Sequence, residues 1–307
     1  MRHSTVQTFK YWWLASRTPS VVKILFPIIV GLSAGFSHTG RVRPAYIALA
    51  MLFGWFNQLI IIFFNDAADY EADIHHTNAF PKLIDPRVLP NRWLSRTQIF
   101  FAGIIAASLM AMVTAIAWLG FQRPFAPLFF GASVTFLWAY SFPPIKLNYR
   151  GFGELLEMTG VGIILPLLGY YFYTGTFSLP MATIIPVALL SFAGSISSTL
   201  KHQPADAETG KRTLSVIYGP KIARVVLFTA TVLGMLSTVG LMFTGDIHPA
   251  IPVITVVLPS FFVWRMAKTF HQATTEHLAA LKAFKTALNN ITYLVLAGLT
   301  IGLIWAR

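Results

Sequence analysis

The chain is divided by apolar runs long enough to cross a bilayer, at roughly 20–38, 44–66, 98–119, 125–142, 153–174, 180–200, 222–244, 248–266 and 287–306. Within a bilayer no water is available to satisfy backbone N–H and C=O groups, so runs of this length must be helical. The expected fold class is an all-α polytopic membrane protein, with about nine transmembrane helices enclosing a central cavity. A single domain over 1–307 is expected. With 55% hydrophobic and 11% charged residues, an ordinary soluble domain is excluded.

The charges that remain are placed unevenly. Most of the 23 Lys and Arg fall in the amino-terminal segment and in the loops on its side of the membrane, while the other side carries only Arg41, Arg43, Arg123 and Arg307. The positive-inside rule then makes the first side cytoplasmic, the expected membrane being the cell inner membrane, and the acids gather there too, Asp246 being the exception among 11. A net charge of +12 spread over several loops, with no continuous basic tract, points to membrane lipid and phosphate-bearing substrates rather than nucleic acid. Cysteine is absent, which removes thiolate chemistry. Lys10, Trp12, Trp13 and Arg17 suggest a helix lying in the interface before the first span.

The second run ends in Asn65-Asp66-Ala67-Ala68-Asp69-Tyr70-Glu71-Ala72-Asp73. On a continuing helix Asn65, Asp69 and Asp73 recur every four residues and share one face. Such a row cannot face lipid, and neighbouring carboxylates repel. A hard divalent ion relieves both problems, and Mg²⁺ prefers a few carboxylates together with phosphate and water oxygens. About 25 residues follow, with Pro81, Pro86 and Pro90 among Lys82, Asp85, Arg87, Arg92 and Arg96. This segment is expected to fold over the acids as a lid, with Arg87 a candidate phosphate contact.

Other candidates emerge on the same side. Tyr140, Lys146 and Arg150 cluster after the fourth span, beyond Pro143 and Pro144. The fifth span opens with Glu154 and Glu157, of which Glu154 is expected to pair with a loop cation. Its Gly160, Gly162 and Gly169 are expected to allow close helix contact. The sixth span leads into Ser198, Lys201, His202, Asp206, Glu208, Lys211 and Arg212. Gly210-Lys211-Arg212-Thr213 is not a P-loop, because Ala205 stands where the earlier glycine is required.

Taken together, these residues resemble the UbiA superfamily of intramembrane prenyltransferases over nearly the whole chain. Asn65, Asp69 and Asp73 match that family's first motif. The Tyr140–Glu154 stretch and Gly210 to Leu214 look most like its menaquinone-type branch, similar to 1,4-dihydroxy-2-naphthoate prenyltransferases. The resemblance implies Mg²⁺ held by Asn65, Asp66, Asp69, Asp73 and Asp206. It also implies an isoprenyl diphosphate bound by Asn65, Arg87, Lys146, Lys201, His202, Lys211 and Arg212, with Asp69, Asp73, Lys146 and Tyr140 as catalytic residues. The second substrate it implies is an aromatic, quinone-precursor-like acceptor. The second motif departs from the pattern: Asp206 matches its last acid, but Ser198 and His202 stand where Asn and Asp are usual. Either Asp206 and Glu208 hold a second metal weakly, or one metal works with the positive charge of Lys201, His202, Lys211 and Arg212. The departure also leaves open a terpene cyclase, transfer to a non-aromatic lipid acceptor, or a non-catalytic lipid-binding relative. A transporter using the acids as an ion relay is the rival from another class.

Overall fold

A computed structural model describes residues 5–83, 87–243, 248 and 250–305. Asp85 and Pro86 of the expected lid, and Arg2, Asp246 and Arg307 of the charge pattern, lie outside the described residues.

The described residues are helical throughout their long elements. In order these are α1 (Thr5–Ala15), α2 (Val22–Thr39), α3 (Pro44–Ala68), α4 (Tyr70–Ala79), α5 (Arg96–Ala115), α6 (Ala126–Ser141), α7 (Gly153–Thr159), α8 (Leu165–Thr174), α9 (Met181–Leu200), α10 (Gln203–Glu208), α11 (Leu214–Ile217), α12 (Gly219–Phe243), α13 (Leu258–Thr269) and α14 (Leu278–Trp305). A π-helical turn, Gly160–Ile164, joins α7 to α8, and others extend α5 and precede α13. Seven helical stretches are long and apolar enough to span a membrane. The fourth and eighth expected spans correspond to shorter helices, the 16 residues of α6 and the 12 of α13 with its preceding turn. The protein is an integral membrane protein, and large apolar side chains such as Phe101, Leu128 and Phe261 stand exposed where acyl chains would cover them.

Local sequence explains the helix ends. Pro44 sits in the first turn of α3, where its missing N–H has no intrahelical partner to lose. Ser95 and Gln98 form a reciprocal capping box that starts α5. At the end of α3, Arg96 Nε donates to the otherwise open carbonyl of Ala67 at 2.9 Å.

Two apolar clusters build the bundle. One joins α2, α3, α5 and α8 through residues such as Ile28, Phe53, Met110 and Phe172. The other joins α9, α12 and α14 through Val187, Leu227 and Leu288. Small residues set the closest crossings. A Cβ on Gly169 would lie 2.2 Å from the Ile28 carbonyl oxygen, and one on Gly31 would lie 1.9 Å from that of Pro166. Gly162 likewise meets the backbone of Ala188, as the sequence suggests. Gly160 does not serve this purpose: its nearest neighbour is the Phe136 ring at ordinary contact distance.

A third, smaller cluster ties the expected lid down. Val88, Leu89 and Leu94 pack on Ala15 of α1, on Ile62, Phe63 and Ala67 of α3, and on Ile99 of α5. Tyr11 stacks on Trp93 with centroids 5.1 Å apart, and Trp12 meets Phe63 edge-on. The amino-terminal helix and the proline-bearing loop thus form one cap over the end of α3.

Candidate active site

The helix carrying the acids bends at Asp69, where the backbone leaves helical geometry between α3 and α4. The four-residue hydrogen bonds persist through the bend, from Asp69 N–H to the Asn65 carbonyl and from Asp73 N–H to that of Asp69, both 2.8 Å. The common face expected from the spacing therefore survives. Asp66, Asp69 and Asp73 are 5%, 3% and 2% exposed. Carboxylates this dry need compensating charge.

Each of the three receives it from a different part of the chain. Asp66 pairs with Arg17, at the joint after α1. Asp69 accepts from Lys211 Nζ at 2.7 Å and from the Tyr149 hydroxyl at 3.3 Å. Asp73 pairs with Arg87 of the cap. Arg17 sits in left-handed geometry, at φ 43°, where the chain turns from α1 toward α2. Asn65 accepts from Ser141 Oγ at 3.0 Å.

The second acidic end lies against the first, as a shared pocket requires. Asp206, in the first turn of α10, is 4% exposed, and its Oδ1 is 4.0 Å from His76 Nε2 on α4. His76 also bonds Thr209 at 3.1 Å, and His75 bonds Glu208 at 2.7 Å. Lys211 binds the two ends together, because its backbone N–H donates to the Asp206 carbonyl while its ammonium holds Asp69. Burial pushes the Asp206 carboxyl up to about 6 against the opposing pull of Lys211. His76 is held below the ordinary imidazole value by burial and then by Lys211.

Several expected residues take other places. His202 adds no positive charge at neutral pH, since burial, with Arg87, Lys285 and Lys201 nearby, depresses its pKa to about 2. Its Nδ1 has no partner among the described residues. Lys201 caps the end of α9 and contributes to that positive surrounding. Arg212 is exposed, and its backbone N–H donates to the Asn148 carbonyl at 3.2 Å. Lys146 lies over the Tyr149 ring, 3.6 Å from its centroid. Glu154, expected to meet a loop cation, instead accepts from the Leu214 backbone N–H at 2.9 Å and from Thr199 at 3.4 Å. Glu208 is directed to His75 at the surface rather than toward Asp206.

Arg17, Tyr149, Ser141 and His76 were not singled out by sequence as residues of the site, Arg17 reading there only as an interfacial cation. His76 falls one turn after Asp73 on the same face, and Tyr149 one turn after Lys146, so both had a local signal. Arg17 and Ser141 had none, being 49 and 76 residues from their partners.

Below the acids opens a cavity of about 360 Å³ between α2, α3, α6, α7, α9 and α14. Asn65, Arg17 and Tyr140 stand in its wall, with Ile24, Phe136, Val161 and Leu296 among its apolar lining. Charge at one end and hydrocarbon walls beyond it suit a ligand that is anionic at its head and apolar along its length.

No three His, Asp or Glu side chains among the described residues are already grouped to hold a metal ion. The donors nevertheless suit a hard divalent cation. The amide oxygen of Asn65 and the carboxylates of Asp69 and Asp73 share a face, and Asp73 Oδ1 is buried without a hydrogen-bond partner.

Comparison with known proteins agrees with this architecture. Over 242 residues the chain is 24% identical to 2-carboxy-1,4-naphthoquinone phytyltransferase of Synechocystis sp., covering 76% of this chain and 75% of that protein. It is 27% identical over 130 residues to 1,4-dihydroxy-2-naphthoate octaprenyltransferase of Bacillus subtilis, a match covering 42% of this chain and 41% of that protein. A UbiA homologue from Archaeoglobus fulgidus, solved with DMAPP and Mg²⁺, shares the fold with a TM-score of 0.63 at 17% identity, over 96% of this chain and 99% of that one. Residues 24–291 match the model of the UbiA prenyltransferase family, a span that takes in both acidic helix ends and most of the cavity lining, and the chain belongs to that family.

Proposed function

We propose that the protein transfers an isoprenyl group from a prenyl diphosphate to an aromatic acceptor of the quinone-precursor type. One observation carries this reading: a row of buried acids, each held by a cation from a different segment, adjoins Asn65 and Arg17 in the wall of a hydrocarbon-lined cavity. The curated relatives named for naphthoate and naphthoquinone prenylation support the aromatic acceptor.

The diphosphate lies at the acid end and the isoprenyl tail in the cavity. Asn65, Asp69 and Asp73 would hold Mg²⁺, with Asp206 facing them from α10. When bound, Mg²⁺ supplies charge neutralisation for the departing diphosphate. Lys211 and Arg87 are placed to exchange their carboxylate partners for diphosphate oxygens, and so to stabilise negative charge as it develops. The C–O bond breaks with its electron pair leaving on the diphosphate. The allylic carbon is then captured by the acceptor ring, which forms the new C–C bond and loses a proton. Tyr140, at the cavity wall below Asn65, and the cap formed by α1 and residues 87–94 keep water from the cation. The basic loops on this side support an orientation with this end toward the cytoplasm, in the cell inner membrane.

The test is Asp69→Asn assayed for prenyl transfer with Mg²⁺ and a naphthoate acceptor. A fall of about 100-fold or more is expected. Unchanged turnover overturns the site. A cyclised hydrocarbon formed equally with and without acceptor overturns the acceptor reading.

A further inference from the structure

Asn57 stands on the same stripe of α3 as the acid end, two turns deeper. Asn57, Ile61 and Asn65 recur every four residues, and all three line the cavity. Eight helical residues separate Asn57 from Asn65 by about 12 Å along the axis. Asn57 is 4% exposed, and its Oδ1 has no hydrogen-bond partner among the described residues. The neighbouring Gln58 is already engaged, its Nε2 donating to Ser20 Oγ at 2.7 Å. In another wall of the cavity, Glu157 accepts from Ser195 Oγ at 2.7 Å, close to Ser191.

A buried amide oxygen without a donor has lost its water and gained nothing in return, so an apolar residue of similar size would be more stable there. An isoprenyl tail cannot supply the missing hydrogen bond. An O–H group can. The interval between Asn57 and the acid end also accommodates an aromatic ring together with one hydrogen bond.

Resting on the transfer reading above, we infer that Asn57 is the residue that recognises the acceptor, by accepting a hydrogen bond from an aromatic hydroxyl. The acceptor is then an aromatic alcohol, and a ring of equal size without an O–H is rejected, because it leaves the buried oxygen bare. Asn57 acts as a specificity-determining residue, and Glu157 provides a second hydrogen-bond acceptor in the same cavity.

The test uses the full-length protein in lipid nanodiscs and two isosteric probes, 1-naphthol and 1-methylnaphthalene, with binding measured against empty nanodiscs. The wild type is expected to prefer 1-naphthol at least tenfold. Asn57→Leu should bring the two affinities within twofold, whereas Asn57→Asp, which keeps an accepting oxygen, should retain the preference. Equal affinity for both probes in the wild type overturns the inference and shows an amide satisfied by water only. A preference that survives in Asn57→Leu, or in Asn57→Ala if the leucine variant does not fold, overturns it as well. Probe binding needs no turnover, so the two readings fail separately. A chain without transferase activity that still selects 1-naphthol refutes the transfer reading, and an active chain indifferent to the hydroxyl refutes this one.

Discussion

The end of α3 and the start of α4 bury three carboxylates, each against a cation, while the end of α9 and the short α10 bury a single carboxylate, Asp206. At the matching positions of the second end stand Ser198, whose hydroxyl donates to the Ser195 carbonyl at 2.6 Å, and His202, which is neutral. The first end is therefore built around charge and the second around its near absence. A pocket assembled from two such ends concentrates its negative ligands on one wall, and its cations are delivered by loops that belong to neither helix. Under the proposed transfer reading, α3 and α4 would hold the metal while Lys211 and Arg87 would hold the leaving group.

The largest expected effect breaks the comparison directly. Asp69→Asn or Asp73→Asn should lower prenyl transfer by about 100-fold or more, while Ser198→Ala should change it by less than about threefold, because the Ser198 hydroxyl is already spent on its own helix. A steady-state assay on the three variants decides it. Comparable losses from Ser198 and Asp69 would mean that the second end also holds metal.

Next comes the link between the ends. Lys211→Met leaves Asp69 buried opposite no ammonium, which should cost about 3 kcal/mol of stability. Asp69→Asn in the same chain should restore most of it, since the uncompensated charge is then gone. Denaturation of the single and double variants in detergent measures the coupling, and additive effects would show that Lys211 acts elsewhere.

How much of this was legible depended on range. The Asn65, Asp69 and Asp73 spacing, the spanning runs, and the Gly162 and Gly169 contacts follow from periodicities of a few residues, which a chain displays openly. Lys211 meets Asp69 across 142 residues, and no local pattern announces that pairing. The neutrality of His202 was equally hidden, because an imidazole among lysines reads as a cation until its burial is known. Glu154 misled for a similar reason: near basic loops a carboxylate suggests an ion pair, yet its partner is the backbone N–H that opens α11.

His202 gives a smaller, pH-dependent effect. Its folded pKa, about 2, lies below the ordinary 6.5, so the neutral ring is favoured on folding. The stability this contributes is complete above pH 6.5 and is lost as the pH falls toward 2. Each unit of acidification below 6.5 should cost up to about 1.4 kcal/mol from this group. The groups that set the shift besides burial are Arg87, Lys285, Lys201 and His76. His202→Gln should flatten the fall in stability between pH 6.5 and 5, measured by thermal unfolding. An unchanged slope would place the titrating group elsewhere.

The smallest effect is expected where the two ends meet at the surface. The His75 and Glu208 side chains lie 2.7 Å apart, but they are 48% and 51% exposed. Solvent screens such a pair, and holding two side chains in one geometry offsets much of the attraction, so Glu208→Gln should alter stability by less than about 0.5 kcal/mol. The partly buried contact one residue away, from His76 to Thr209, is screened less, and Thr209→Val should cost about 1 kcal/mol by leaving the ring nitrogen without its partner. Equal effects from the two substitutions would mean that α4 and α10 are joined at their exposed rim, and that the more sheltered contact beside it adds nothing to the closure of the pocket.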